Sequence, residues 1–241
     1  MKKIFPILIL MFGIAAVVGV FFYTKNNDGK KNTEDAEFDD IAPEVAMEKR
    51  PVVFLTPSED GHWLTLKIQK MLIDSATLDY ELTYKLPDGR TQGVPGTVKL
   101  ASKDDIEKEL LLGSESSGKF RYDEGVERGN VVLRFRDDNG KLVAKFETEF
   151  FLQSGKAEIT TPAGTYTLDK PNQGMFYVSM DTIGYPGDYS GGIDTAFGIF
   201  TALNGSSGSF DAGDIRFYDD GEWVELNENK SSDTGFFLLP S

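Results

Sequence analysis

The feature that most restricts the fold is a two-residue alternation of apolar and polar side chains, in short runs separated by turn residues. In Trp63–Gln69, Leu64, Leu66 and Ile68 alternate with polar neighbours, and in Thr77–Lys85 the residues Leu78, Tyr80, Leu82 and Tyr84 repeat the pattern. Successive side chains of an extended strand point to opposite faces, so each run offers one face to a core and one to solvent. Pro87-Asp88-Gly89 predicts a turn into residues 91–100, where Pro95, lacking an N–H, marks an edge strand. Asp137-Asp138-Asn139-Gly140 predicts a hairpin between residues 131–135 and 141–150. A further run covers 51–55, and a second series covers 159–168, 175–180, 197–203, 215–218 and 236–239. Residues 102–113 fit either a short helix capped by Ser102 and ended by Gly113, or a strand at 109–112. Long helices alternating with strands, as in a doubly wound sheet, are absent, and short strands with frequent turn signals are the pattern of sandwiches. The 25 Gly, 18 Phe and 9 Tyr lean the same way. The expected fold is an all-β ectodomain of two tandem antiparallel β-sandwiches, residues 47–154 and 155–241, with Gln153-Ser154-Gly155-Lys156 at the boundary.

Ahead of these modules, Lys2 and Lys3 precede an uncharged segment, residues 4–23. At about 1.5 Å rise per residue, such a helix spans the roughly 30 Å hydrocarbon core. A cleavable signal peptide is the competing reading, but the segment ends in Phe21, Phe22 and Tyr23, which suit an interfacial belt better than a small-residue cleavage site. Residues 1–24 are expected to be a transmembrane signal anchor, with the long C-terminal part outside the cytoplasm of a bacterial cell, and residues 25–46 a polar tether.

The stretch Tyr80-Glu-Leu-Thr-Tyr-Lys85, leading into Pro87-Asp-Gly89 and closing on Phe146-Glu-Thr-Glu-Phe150, resembles immunoglobulin-like and fibronectin type III-like modules of surface proteins. That resemblance implies a sandwich over residues 47–153 and offers Trp63 as a core tryptophan, although the Cys pair of antibody-type domains is missing. Residues 110–125 also resemble segments of uncharacterised, membrane-anchored bacterial proteins, which carries no function across. Phe217-Tyr-Asp-Asp-Gly-Glu-Trp223 resembles a hairpin with an aromatic anchor from bacterial surface modules, and implies architecture rather than chemistry.

A formal charge of −14 argues against nucleic acid as a partner, because phosphate binding needs clustered Lys and Arg. The absence of Cys removes disulfides, thiol nucleophiles and zinc–thiolate sites, and a single histidine, His62 in a turn, removes multi-histidine metal sites. Asp211, Asp214, Asp219 and Asp220 are candidate Ca²⁺ ligands, although no EF-hand spacing is present. Tyr185 and Tyr189, in the Gly-rich residues 184–193, are candidate recognition residues; the same loop also reads as a crossover packed on its own aromatics. No catalytic motif and no cofactor motif is found. The expected function is binding of protein or carbohydrate, or a structural role, at the cell envelope. The alternatives are an envelope hydrolase built on a carboxylate pair and an accessory subunit of a membrane complex.

Overall fold

The alternating runs become strands. The computed structural model describes residues 42–100, 104–203, 206–211 and 213–241. The expected anchor and tether residues 25–41 lie outside them, and among the described residues no helix is long and apolar enough to cross a membrane. The first part of the chain supplies β1 (Val52–Pro57), β2 (Trp63–Gln69), β3 (Thr77–Lys85), β4 (Thr91–Lys99), β5 (Ile106–Leu111), β6 (Gly113–Ser116), β7 (Lys119–Tyr122), β8 (Arg128–Arg136) and β9 (Leu142–Ser154). The rest supplies β10 (Glu158–Thr161), β11 (Gly164–Leu168), β12 (Phe176–Asp181), β13 (Ile193–Phe200), β14 (Gly208–Phe210), β15 (Arg216–Asp219), β16 (Glu222–Glu225), β17 (Lys230–Ser231) and β18 (Phe236–Pro240). Among the described residues the one helical element is a 3₁₀ turn, Met47–Lys49.

The fold is all-β and antiparallel. A nine-stranded sheet runs β16-β15-β18-β13-β12-β9-β8-β3-β4, beside a three-stranded sheet β1-β2-β5, a four-stranded sheet β10-β11-β14-β17 and the hairpin β6-β7. The open choice at residues 102–113 falls to a strand: β5 pairs with β2 from Trp63↔Leu111 to Ile68↔Ile106, which gives β2's second edge the partners its backbone groups require.

Two hairpins close in the same way. Leu86 N–H donates to Arg90 O (2.8 Å) across Pro87-Asp88-Gly89, and Asp137 N–H donates to Lys141 O (3.0 Å) across Asp138-Asn139-Gly140. Gly89 (φ 88°) and Gly140 (φ 79°) take the left-handed conformation that these loops require. Beyond the first hairpin, β4 pairs only with β3 and is an edge, as Pro95 predicts. The bonds Leu86 N→Arg90 O and Leu100 N→Ala76 O fix the parity of this ladder: even-numbered residues of β4 bond to β3 and odd-numbered ones face outward. Pro95, opposite Glu81, therefore stands where its missing N–H breaks no bond.

The two smaller sheets pack on opposite faces of the long one. Val178 and Met180 of β12 join a core cluster with Leu55, Leu66, Leu82, Leu133 and Phe150, under the three-stranded sheet. Their neighbour Tyr177 joins a second cluster with Ile159, Tyr166 and Phe210, under the four-stranded sheet. Phe200 of β13 likewise falls in the first cluster, while Phe197 and Ile199 fall in the second. Since adjacent residues of a strand point to opposite sides, the clusters lie on opposite faces, and β12 and β13 are covered on both. In the middle of β12, Ser179 is fully buried and its hydroxyl donates to Thr160 O, while Gln153 Nε2 donates to Ser179 Oγ (3.1 Å).

Ser154, at the expected module boundary, is the last residue of β9, and the sheet continues past it through the pairs Gln153↔Tyr177 and Leu152↔Val178. Residues 42–241 form one compact unit. Trp63 is only partly buried, because it lies at the outer end of β2 and meets Phe120 edge-on at 5.6 Å rather than filling the core.

Candidate functional site

The turn between β1 and β2 is held by its own side chains. Ser58 Oγ donates to Asp60 Oδ1 (2.6 Å) and accepts from Trp63 N–H (3.0 Å), while His62 N–H donates to the same Asp60 oxygen (3.1 Å). Gly61, at φ 72°, passes so close to the Phe176 ring that a Cβ would collide with it. The Ser58 hydroxyl, then the His62 backbone N–H and side chain, hold the Asp60 carboxyl down at about 2 despite the opposing effect of burial.

This geometry places the only histidine between two acids. His62 Nδ1 lies 3.1 Å from Asp60 Oδ2, a close approach rather than an aligned hydrogen bond, and Nε2 lies 3.6 Å from Glu124 Oε1. The imidazole stacks face to face on Tyr122, with centroids 4.1 Å apart and planes 9° apart. An acid pair flanking a reacting carbon needs open space between the carboxyls, and here the imidazole fills it.

Tyr122 belongs to the β6-β7 hairpin, which turns at Ser117 (φ 53°) and Gly118 (φ 74°), the two consecutive left-handed residues of a tight hairpin turn. The hairpin is rooted where Leu112 N–H donates to His62 O and Asp123 N–H donates to Leu112 O, both at 2.9 Å. Phe120 and Tyr122, two residues apart on β7, share one face. They are 46% and 38% exposed, with ring planes 10° apart and centroids 6.2 Å apart. Two large aromatics left in solvent side by side form a contact surface of the kind that marks binding sites.

Behind this shoulder opens a cleft of about 610 Å³ whose charged lining includes Asp60, Asp123, Glu124, Glu127, Arg128 and Lys156. Asp123 is fixed by Tyr84, whose buried hydroxyl donates to Asp123 Oδ2 (3.0 Å). Burial, then that carboxylate, push the Tyr84 phenol well above its ordinary range, so it stays a donor.

The residues singled out from sequence lie elsewhere. Tyr185 is buried and Tyr189 half-buried, and both meet Trp223 edge-on, at 6.3 and 6.5 Å. Trp223 Nε1 donates to Pro186 O (3.0 Å), so the loop after β12 lies against the β15-β16 hairpin and, with Ala196 and Leu238, forms a third apolar cluster. Of the four candidate Ca²⁺ ligands, Asp211 accepts from Thr165 N–H (3.1 Å) and Asp214 pairs with Arg216 (3.0 Å). Asp219 is the last residue of β15 and Asp220 follows it into the turn, with the whole length of the strand between them and Asp214. Asp220 (φ 45°) forms the hairpin turn with Gly221. Among the described residues no three His, Asp or Glu side chains gather as a metal site.

Phe120 and Tyr122 are the residues that sequence reasoning missed. The signal was the Ser117-Gly118 dipeptide followed by the alternation Lys119-Phe120-Arg121-Tyr122, a turn and a strand within a stretch read only for helix or strand further upstream. Comparison of the chain with protein-family models, curated proteins and solved structures found no match to any of the three.

Proposed function

We propose that this chain is a single-pass, membrane-anchored protein whose β-rich part works outside the cytoplasm as a binding module at the cell envelope. Its two immunoglobulin-like sandwich halves serve as a rigid mount for the contact surface. The anchor rests on the uncharged residues 4–23 and the tether on the polar residues that follow. The observation that carries the binding role is the exposed, near-parallel pair Phe120 and Tyr122, of which Tyr122 stacks on His62 in the wall of a preformed polar cleft.

The test is capture by isolated envelope material. Purified full chain should sediment with cell-wall fragments or with envelope proteins, and a Phe120→Ala/Tyr122→Ala variant should lose at least about tenfold in apparent affinity, roughly 1.4 kcal/mol or more. Equal sedimentation of the two proteins would refute the assignment. Both side chains are exposed on a peripheral hairpin, so the variant should keep its fold, checked by an unchanged urea midpoint.

A further inference from the structure

We infer that the ligand taken by the cleft and its aromatic shoulder is a neutral oligosaccharide, an inference that rests on the binding reading above. A pyranose ring has an apolar face of C–H groups and a rim of hydroxyls, and both find a match here. Phe120 and Tyr122, the latter already backed on one face by His62, offer nearly parallel rings whose 6.2 Å spacing, set by the strand repeat, is comparable to one sugar unit. Next to them, reached through His62 and Glu124, the cleft presents acceptors on Asp60, Glu124 and Glu127 and donors on Arg128 and Lys156. A hydroxyl both donates and accepts, so a polyol satisfies such mixed walls better than a ligand of one charge.

Charge and topology narrow the class further. Four acids against two bases at the cleft, on a chain of net charge −14, oppose an anionic polymer. Of the strands that line it, β8, β9 and β12 have neighbours on both edges, and at the edge strand β10 the Thr160 N–H and carbonyl are already bonded to the Gln153 and Ser179 side chains, so the cleft offers no open ladder there to an extended peptide. Asp60 and Asp123 are already fixed, by the β1–β2 turn and by Tyr84, so little ordering remains for the ligand to impose.

The experiment titrates the full chain, held in a non-glycosidic detergent, with a panel of neutral hexasaccharides including chitohexaose and cellohexaose, and with a sulfated oligosaccharide for contrast. Trp63, edge-on to Phe120, reports occupancy through its emission; Trp63→Phe should abolish the signal and Trp223→Phe should keep it. The expected result is a saturable response to at least one neutral sugar, weakened at least tenfold by Tyr122→Ala, with no response to the sulfated one. Silence across the neutral panel, a response to the sulfated sugar alone, or a response untouched by Tyr122→Ala would overturn the inference. If envelope capture depends on Phe120 and Tyr122 while no neutral sugar binds or competes, the ligand class fails and the binding role stands. Capture independent of both residues sinks the binding role itself.

Discussion

Phe237→Ala tests whether the long sheet makes one folding unit of the two core clusters on its opposite faces. Phe237 is fully buried in the cluster beneath the four-stranded sheet, with its ring centroid 5.0 to 6.2 Å from those of Tyr166, Phe197, Phe210 and Phe217. Truncating such a ring costs about 3–5 kcal/mol. With a urea m-value of about 2–3 kcal/mol per molar, the unfolding midpoint should fall by about 1–2.5 M. Trp223 reports from β16, two strands from β18 in the same sheet and packed in the third cluster, and Trp63 from β2, whose cluster lies on the face opposite Phe237. Because β12 and β13 contribute to both clusters, loss of one should bring down the other, and single-tryptophan variants should show the same lowered midpoint with either probe. A Trp223 transition that moves while the Trp63 transition stays put would refute the argument. The milder Ile199→Val, costing about 0.5–1.5 kcal/mol, gives the same comparison if Phe237→Ala does not fold.

Three other outcomes are expected. Pro95→Val restores an outward N–H in the middle of the β4 edge and should raise self-association, read by light scattering at increasing concentration; scattering unchanged from wild type would argue against Pro95 as the guard of that edge. Trp223→Ala removes the Pro186 hydrogen bond and the contacts with Tyr185 and Tyr189, so hydrogen exchange and protease cleavage within residues 184–192 should accelerate while β2 and β5 remain protected. The Asp60 carboxyl titrates lower in the folded chain, at about 2, than its ordinary 3.8, so its stabilising contribution is complete above pH 3.8 and fades as the pH falls towards 2. Urea midpoints of wild type and Asp60→Asn should therefore converge across that window, and a constant gap would contradict the hydrogen-bond account of Asp60.

Much of the first half of the fold is legible in the sequence, because there one sheet face meets solvent and alternation survives. The outer side of β3 and β8 carries the ion pair Arg136–Asp79 (3.0 Å), while Leu78, Leu82, Val131 and Leu133 point inward. The Asn139-Gly140 and Pro87-Asp88-Gly89 turns and the edge role of Pro95 follow from local backbone chemistry alone. What alternation conceals is pairing between distant segments, such as β15 with β18 and β18 with β13. The shared sheet left a trace, since Phe176-Tyr177-Val178-Ser179-Met180 and Ala196-Phe197-Gly198-Ile199-Phe200 are almost continuously apolar, as strands covered on both faces are. The aromatic shoulder was hidden for a different reason. Exposed Phe and Tyr on a strand look like core residues until all four residues of that strand are found exposed.

Burial of β12 on both faces raises a problem of alignment. Where one face is wet, sliding a strand by one residue turns its apolar side outward, and that penalty locks the pairing in place. In β12 a slide would merely exchange one greasy side chain for another. Ser179 supplies the missing address: only in the observed alignment does its hydroxyl meet Thr160 O and Gln153 Nε2, and one step either way would strand a polar group in the dry interior. The smallest side chain in the strand thus encodes its position, which the large ones around it cannot do.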